Sequence, residues 1–224
     1  MQQAHQPPRD EAQEIAKMAP WWAAAIGALV LGGLFALLPE SLTHMPYWLP
    51  LLLIVLIWLP FVAAHLLRRE LSHVTARTLA FALLAIITVV LLISVAFLVI
   101  SMANGSATRG TALLRDAGLL WVANVLVFSL WYWEIDGGGP RRRHQHGHLA
   151  ADLLFPQQTD TITGARVWAP HYLDYLFVAF TAATALSPTD TMPLSRRAKA
   201  LMMIEAVMAM AIVLVIAARA INIL

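Results

Sequence analysis

The chain has no cysteine. Disulfides and thiolate metal sites are excluded, and nothing further follows about the compartment. Charge is also scarce. Only 12% of residues are Asp, Glu, Lys or Arg, and a soluble domain carries roughly twice that share. The 224 residues therefore lack the polar sequence needed to solvate two soluble domains of about a hundred residues each. The formal net charge is +2, which gives no reason to expect a nucleic-acid partner. No nucleophile–base pair, phosphate loop, haem ligation pair or zinc-protease motif is present, so the sequence is not read as an enzyme and implies no cofactor. There is no internal repeat.

What is present is apolar length. Hydrophobic residues make up 60% of the chain, mean hydropathy is +0.70, and several runs reach the roughly 20 residues that cross a bilayer. The fold class is an all-α, polytopic helical membrane protein. Residues 1–20 form a polar N-terminal segment; its charges are mixed and no small-residue cleavage site follows, so it is expected to be retained. Residues 21–136 read as a four-helix membrane region, with spans near Trp21–Leu38, Trp48–Leu67, Leu79–Met102 and Thr111–Trp133. Trp21 and Trp22 suit a headgroup interface, and Gly32 and Gly33 suit close helix contact. Residues 137–169 form a basic loop that opens GGGPRRRHQHGH and reads as aqueous; ADLLFP (Ala151–Pro156) reads as a surface segment.

The rest of the chain is organised around residues 170–224. PHYLDYLFVAFTAAT is followed by ALSPTDTMPLS and then by RRAKALMMIEAVMAMAIVLVIAARAINIL. His171–Leu186 is 16 residues, about 24 Å as helix, slightly short of a hydrocarbon core of about 30 Å. The final run from Ala200 is long enough to cross. A short helix, a Pro-containing hairpin and a full span predict a re-entrant element packed on a membrane helix, because lipid tolerates irregular backbone only where protein or a water-filled cavity surrounds it. The count is five spans plus one short re-entrant helix.

This order and spacing resemble the pore module of two-helix cation channels: pore helix, filter loop, inner helix. In those channels the filter reads TVGYGD with a Pro soon after, and the inner helix carries an Arg, a Glu-Ala pair and a late Ala-Arg. The matching residues are Thr181 and Thr184, then ALSPTD, Pro193, Arg197, Glu205-Ala206 and Ala218-Arg219. The chain also resembles a group of bacterial membrane proteins ending in an SPTD…MPLS…AK…ARA-NIL pattern, from which no activity carries over. Aligning Asp190 with the filter Asp puts Ala185, Leu186, Ser187, Pro188 and Thr189 on TVGYG. Both filter glycines are replaced, and Pro188 fixes its own φ while restricting Ser187. A potassium filter built of inward carbonyls is not expected.

Lys and Arg counts place the N-terminus, the loop with Arg68, Arg69 and Arg77, and the loop with Arg141, Arg142 and Arg143 on the cytoplasmic side. A re-entrant hairpin then keeps Arg196, Arg197 and Lys199 on that side too, the inverse of a potassium channel. If His171–Leu186 were a true crossing, those three cations would move outside.

Glu205 stands out as a carboxylate in a long apolar helix. Intramembrane carboxylates point to function by default, so an ion or proton ligand is one reading and structural pairing with Arg197 or Lys199 is the other. Asp190, with the hydroxyls of Ser187, Thr189 and Thr191, reads either as an acidic pore mouth or as turn chemistry in which S-P-T-D starts the last helix. Thr181 and Thr184 line a pore or bond back into their own helix. Asp174 pairs with Arg166 or caps the short helix. His144, His146 and His148 are weak metal candidates; three flanking arginines oppose a cation, so no metal is expected and a solvated basic loop is the expectation.

The expected function is that of a channel-like protein of the bacterial inner membrane, a weakly selective cation channel with a non-standard filter. Its partners would be the lipid bilayer, further copies of itself (a tetramer by analogy) and monovalent cations. The alternatives are a non-conducting structural or regulatory membrane protein, and a small proton-coupled transporter using Glu205, Asp190 and Asn124.

Overall fold

The computed structural model describes residues 21–38, 73–103, 110–145, 149–159, 168–184 and 190–223. Helix α1 is Trp21–Leu37, α2 is His73–Ala103 and α3 is Gly110–Ile135. A 3-10 turn over Asp136–Gly138 leads to α4, Pro140–Gln145. Strand β1 (Leu153–Leu154), the single turn α5 (Pro156–Thr159), α6 (Tyr172–Thr184), β2 (Met192–Pro193) and α7 (Arg196–Ile223) complete the order. Among the described residues, three helices are long and apolar enough to cross a membrane, over Arg77–Met102, Thr111–Gly138 and Arg196–Ile221. The expected first span is the apolar α1, of 17 residues; the expected second span, Trp48–Leu67, lies outside the described residues, as does the N-terminal segment.

Helix α3 is the hub. It packs against α1, α2, α6 and α7, and 67% of its apolar window is buried against 28% for α7. Ala117, Leu120, Ala123, Val127 and Phe128 are all fully enclosed. Small residues admit the neighbouring helices and larger ones fill between them. On α7, Met203, Val207, Met210 and Leu214 point away from the protein, and on α6 so do Leu173 and Phe177. Gly33 has open space where a Cβ would stand, so it does not mark a close contact.

Helices α2, α6 and α7 all begin at the end where α3 stops. Tyr172, in the first turn of α6, packs edge-on to Trp133 at 6.0 Å and bonds Ser129 at 2.8 Å. Eight residues later Phe180 meets Trp121 at 5.7 Å, higher on α3. Helix α6 thus runs antiparallel to α3 for 13 residues, about 20 Å. By Met192 the chain is back where α6 began, because β2 pairs antiparallel with β1 (Leu153↔Pro193, Leu154↔Met192), and Arg197 at the start of α7 bonds Asp152 just before β1. The true-crossing alternative for His171–Leu186 is therefore overturned: Arg197 stays at the end where α6 starts.

Local chemistry sets these boundaries. Asp174 Oδ2 accepts from the His171 N–H at 2.6 Å, and the Asp174 N–H donates to the His171 carbonyl at 3.0 Å, a reciprocal cap on α6. Ser195 Oγ accepts from the Ala198 N–H at 3.2 Å and caps α7. Ser195, not the S-P-T-D stretch, is the helix start, and Pro193 lies in β2. Within ADLLFP, Asp152, Leu153 and Phe155 are buried against the protein, and Ala151 and Pro156 are exposed.

Candidate functional site

The end of the bundle where four elements meet is built on one carboxylate. Asp136 follows the last turn of α3 and is buried. Its Oδ1 accepts from the N–H groups of Asp152 at 3.1 Å and Leu153 at 3.2 Å. Its Oδ2 accepts from the Tyr175 hydroxyl of α6 at 2.6 Å. One side chain thereby ties α3 to the β1 segment and to α6.

Arg143 is 3% exposed. Its guanidinium lies between the rings of Trp133, 4.7 Å away, and Tyr175, 5.0 Å away. Nη1 donates to the carbonyls of Trp133 at 2.6 Å and Asp136 at 2.9 Å, satisfying acceptors that the end of α3 leaves open. The turn that brings Arg143 back needs φ values of +59°, +83° and +96° at Gly137, Gly138 and Gly139, which glycine reaches without a Cβ penalty. A Cβ on Gly137 would stand 2.6 Å from the Arg143 side chain. The expectation of a solvated aqueous loop fails here: rings and carbonyls replace the water around this cation.

Asp152 completes the cluster. Its carboxylate takes Arg197 in a two-point grip, Nε to Oδ1 at 2.6 Å and Nη2 to Oδ2 at 2.5 Å, and also accepts from the Gly137 N–H at 3.1 Å. Burial pushes this carboxyl upward, but bonds from Arg197, Ser195 and Gly137 outweigh it and hold the group below its ordinary value of 3.8. A depressed folded-state value contributes stability that is complete above the unfolded value and lost as pH falls through the folded one. Wild type should therefore lose thermal stability more steeply than Asp152→Asn as pH drops below about 4. Melting curves of the detergent-solubilised protein across that range check this; parallel curves would mean the pair contributes nothing to acid stability. The effect is small, since the Arg197 side chain is 54% exposed and solvent screens it.

Further along α7, Glu205 is fully buried. The expected pairing with Arg197 or Lys199 at longer reach along the helix is not made. Tyr132 of α3 donates its hydroxyl to Oε2, and the Asn124 amide reaches the Glu205 carbonyl at 3.5 Å. Glu205 Oε1 and Asn124 Oδ1 are both buried without a hydrogen-bond partner. Two oxygens in that state can accept hydrogen bonds or ligate a cation.

Of the residues singled out in the sequence, Glu205 and Asn124 come together. Asp190 is exposed beside β2, whereas Glu205 lies about 12 Å along α7 from Arg197. Thr181 donates to the Phe177 carbonyl at 2.9 Å and to that of Val178 at 2.9 Å; Thr184 donates to the Thr181 carbonyl at 3.1 Å. A hydroxyl bonded back into its helix keeps its lone pairs, so it remains an oxygen ligand of fixed orientation. Ala185, Leu186, Ser187, Pro188 and Thr189 lie outside the described residues, as do His146 and His148; of His144 only the backbone, within α4, is described. Tyr132, Tyr175, Asp136, Asp152 and Arg143 were missed by sequence reasoning. The available signal was Asp136 directly before three glycines and a run of arginines, at the end of an aromatic-rich span.

Family models, curated proteins and solved structures were all compared with this chain and none matches it.

Proposed function

We propose that the protein is a channel-like subunit of the bacterial inner membrane, in which α6 and its return to β2 form a re-entrant element and α7 the following inner helix. The observation that carries this reading is the shared starting end of α6 and α7, with α6 only 13 residues long. That is the layout of a pore helix followed by an inner helix. Several copies would assemble around an axis, four by analogy with the channels that the module resembles. The outward apolar residues of α6 and α7 supply surface for lipid or a neighbouring copy. Cations would pass the connection between Thr184 and Asp190, with a carboxylate at its mouth to favour them. Without filter glycines, selection for potassium over sodium should be weak. Arg77, Arg143 and Arg197 cluster at the entry end, which supports a hairpin entering from the cytoplasm.

Ion flux in proteoliposomes tests the proposal. Wild type should pass potassium and sodium at similar rates above empty vesicles, and Asp190→Asn should pass them several-fold more slowly. No flux in any gradient from a folded oligomer would overturn conduction and leave a structural membrane protein. The contact of Glu205 with Tyr132 and Asn124 favours a second reading, proton-coupled transport. With Asp190 exposed and apart from Glu205, that reading narrows to Glu205 and Asn124 and predicts proton flux that Glu205→Gln abolishes and Asp190→Asn leaves intact.

A further inference from the structure

Between α3 and α7 the protein encloses two oxygens that its own donors leave unused. Glu205 and Asn124 are both fully buried, and Glu205 Oε1 and Asn124 Oδ1 each lack a hydrogen-bond partner. The two residues abut, since Asn124 Nδ2 reaches the Glu205 carbonyl at 3.5 Å. The other carboxyl oxygen, Oε2, takes the Tyr132 hydroxyl. One turn either side of Glu205 on α7 stand Leu201, Met202, Met208 and Ala209, all apolar and all packed in the core. The residues one turn either side of Asn124 on α3 are apolar and packed there too.

An ionised carboxylate in such surroundings needs a counter-charge, because burying an unpaired charge costs far more than one neutral hydroxyl returns. Among the described residues no cationic side chain bonds to the Glu205 carboxyl. Arg197 is held by Asp152, and Arg196 and Lys199 are exposed. The atoms on offer are carboxylate, amide and phenol oxygens. Such hard oxygens suit alkali and alkaline-earth ions better than soft transition metals. One carboxylate carries one charge, so a monovalent ion makes the site neutral, whereas a divalent ion leaves a buried positive charge.

We propose that Glu205 Oε1 and Asn124 Oδ1 hold a monovalent alkali cation between α3 and α7, with the Tyr132 hydroxyl orienting the carboxylate from its other oxygen. The site names the ion for the second reading above and rests on that reading's pairing of Glu205 with Asn124. A bound cation would tie α7 to α3 within the apolar part of the bundle and stabilise the folded state by linkage.

Thermal unfolding of the full chain in a neutral detergent tests it, with sodium chloride and potassium chloride each replacing choline chloride at constant ionic strength. Wild type should show a saturable rise in melting temperature with sodium, potassium or both. In Asn124→Ala and Tyr132→Phe the concentration at half-effect should increase about tenfold or more. Glu205→Gln keeps the shape and an acceptor; it should lose the rise altogether while melting near wild type in choline. Infrared difference spectra read the carboxyl directly: the added cation should shift a carboxylate band that Glu205→Gln lacks. No rise in wild type, or an equal rise in Glu205→Gln, would overturn the site. Calcium giving the rise where sodium and potassium do not would overturn the monovalent assignment. A protonated-carboxyl band at neutral pH, absent from Glu205→Gln and insensitive to either cation, would also overturn the site and put a proton in the cation's place. That result leaves proton-coupled transport standing, whereas cation binding without coupled flux would keep the site and sink transport, so the two failures are told apart.

Discussion

Asp136→Ala is expected to lower stability by about 3 kcal/mol or more, the largest loss among single substitutions at the polar end. The substitution leaves three donors without an acceptor: the Tyr175 hydroxyl and the amides of Asp152 and Leu153. Each buried donor left unmade costs about 1–3 kcal/mol. The cost falls toward the lower end where water reaches the cluster, and three such losses still sum to several times that of a surface change. The effect should also spread. With β1 released, β2 loses its partner and the Asp152 grip on Arg197 loses its anchor, so the hairpin between α6 and α7 should become protease-sensitive before the helices unfold. Asp136→Asn keeps one oxygen and the side-chain volume, and should cost about 1–2 kcal/mol. Thermal unfolding in detergent, read by loss of soluble protein or by tryptophan fluorescence, gives the ranking; limited proteolysis gives the spread. An Asp136→Ala protein as stable as wild type would mean that Arg143 and its rings hold this end without the carboxylate.

The long helices were legible because each is an apolar run bounded by polar residues. Leu79–Met102 lies inside α2 and Thr111–Trp133 inside α3, and the structure adds only the polar turns at their ends. The short helix was legible for the same reason, and Asp174 was rightly suspected as its cap. What stayed hidden is the chemistry joining these elements. Asp136, Asp152, Tyr175 and Arg197 come from four separate segments, and nothing in local periodicity says that they converge. Arg143 misled for a physical reason. In a run of three arginines the default is a solvated face, and only tertiary structure sets the rings of Trp133 and Tyr175 beside one of them. Glu205, singled out as a carboxylate in an apolar helix, is buried there but was wrongly partnered. Position along α7 suggested Arg197, but that guanidinium is occupied by Asp152, and the actual donor, Tyr132, comes from α3, 73 residues earlier in the chain.

Glu205→Ala should therefore destabilise the protein by about 2–5 kcal/mol, through a cavity between α3 and α7 and the loss of an acceptor for Tyr132. The hydrogen bond is the smaller part. Interhelical bonds within membranes average only about 0.6 kcal/mol and rarely exceed about 1.7, because a helix separated in the bilayer finds other partners. Tyr132→Phe should then cost about 1 kcal/mol, and Glu205→Gln, which keeps both volume and an acceptor, about the same or less. A double-mutant cycle over Tyr132→Phe and Glu205→Gln should give a coupling within that range. These magnitudes also separate the roles open to Glu205. If its role is to lock α7 onto α3, flux through the hairpin should survive Glu205→Gln nearly unchanged and fall in Glu205→Ala in step with stability. If it exchanges a proton, Glu205→Gln should abolish coupled flux while the melting temperature barely moves. Flux and stability measured on the same three variants decide between them, because an amide reproduces the shape and the acceptor of a carboxyl but cannot take up and release its proton.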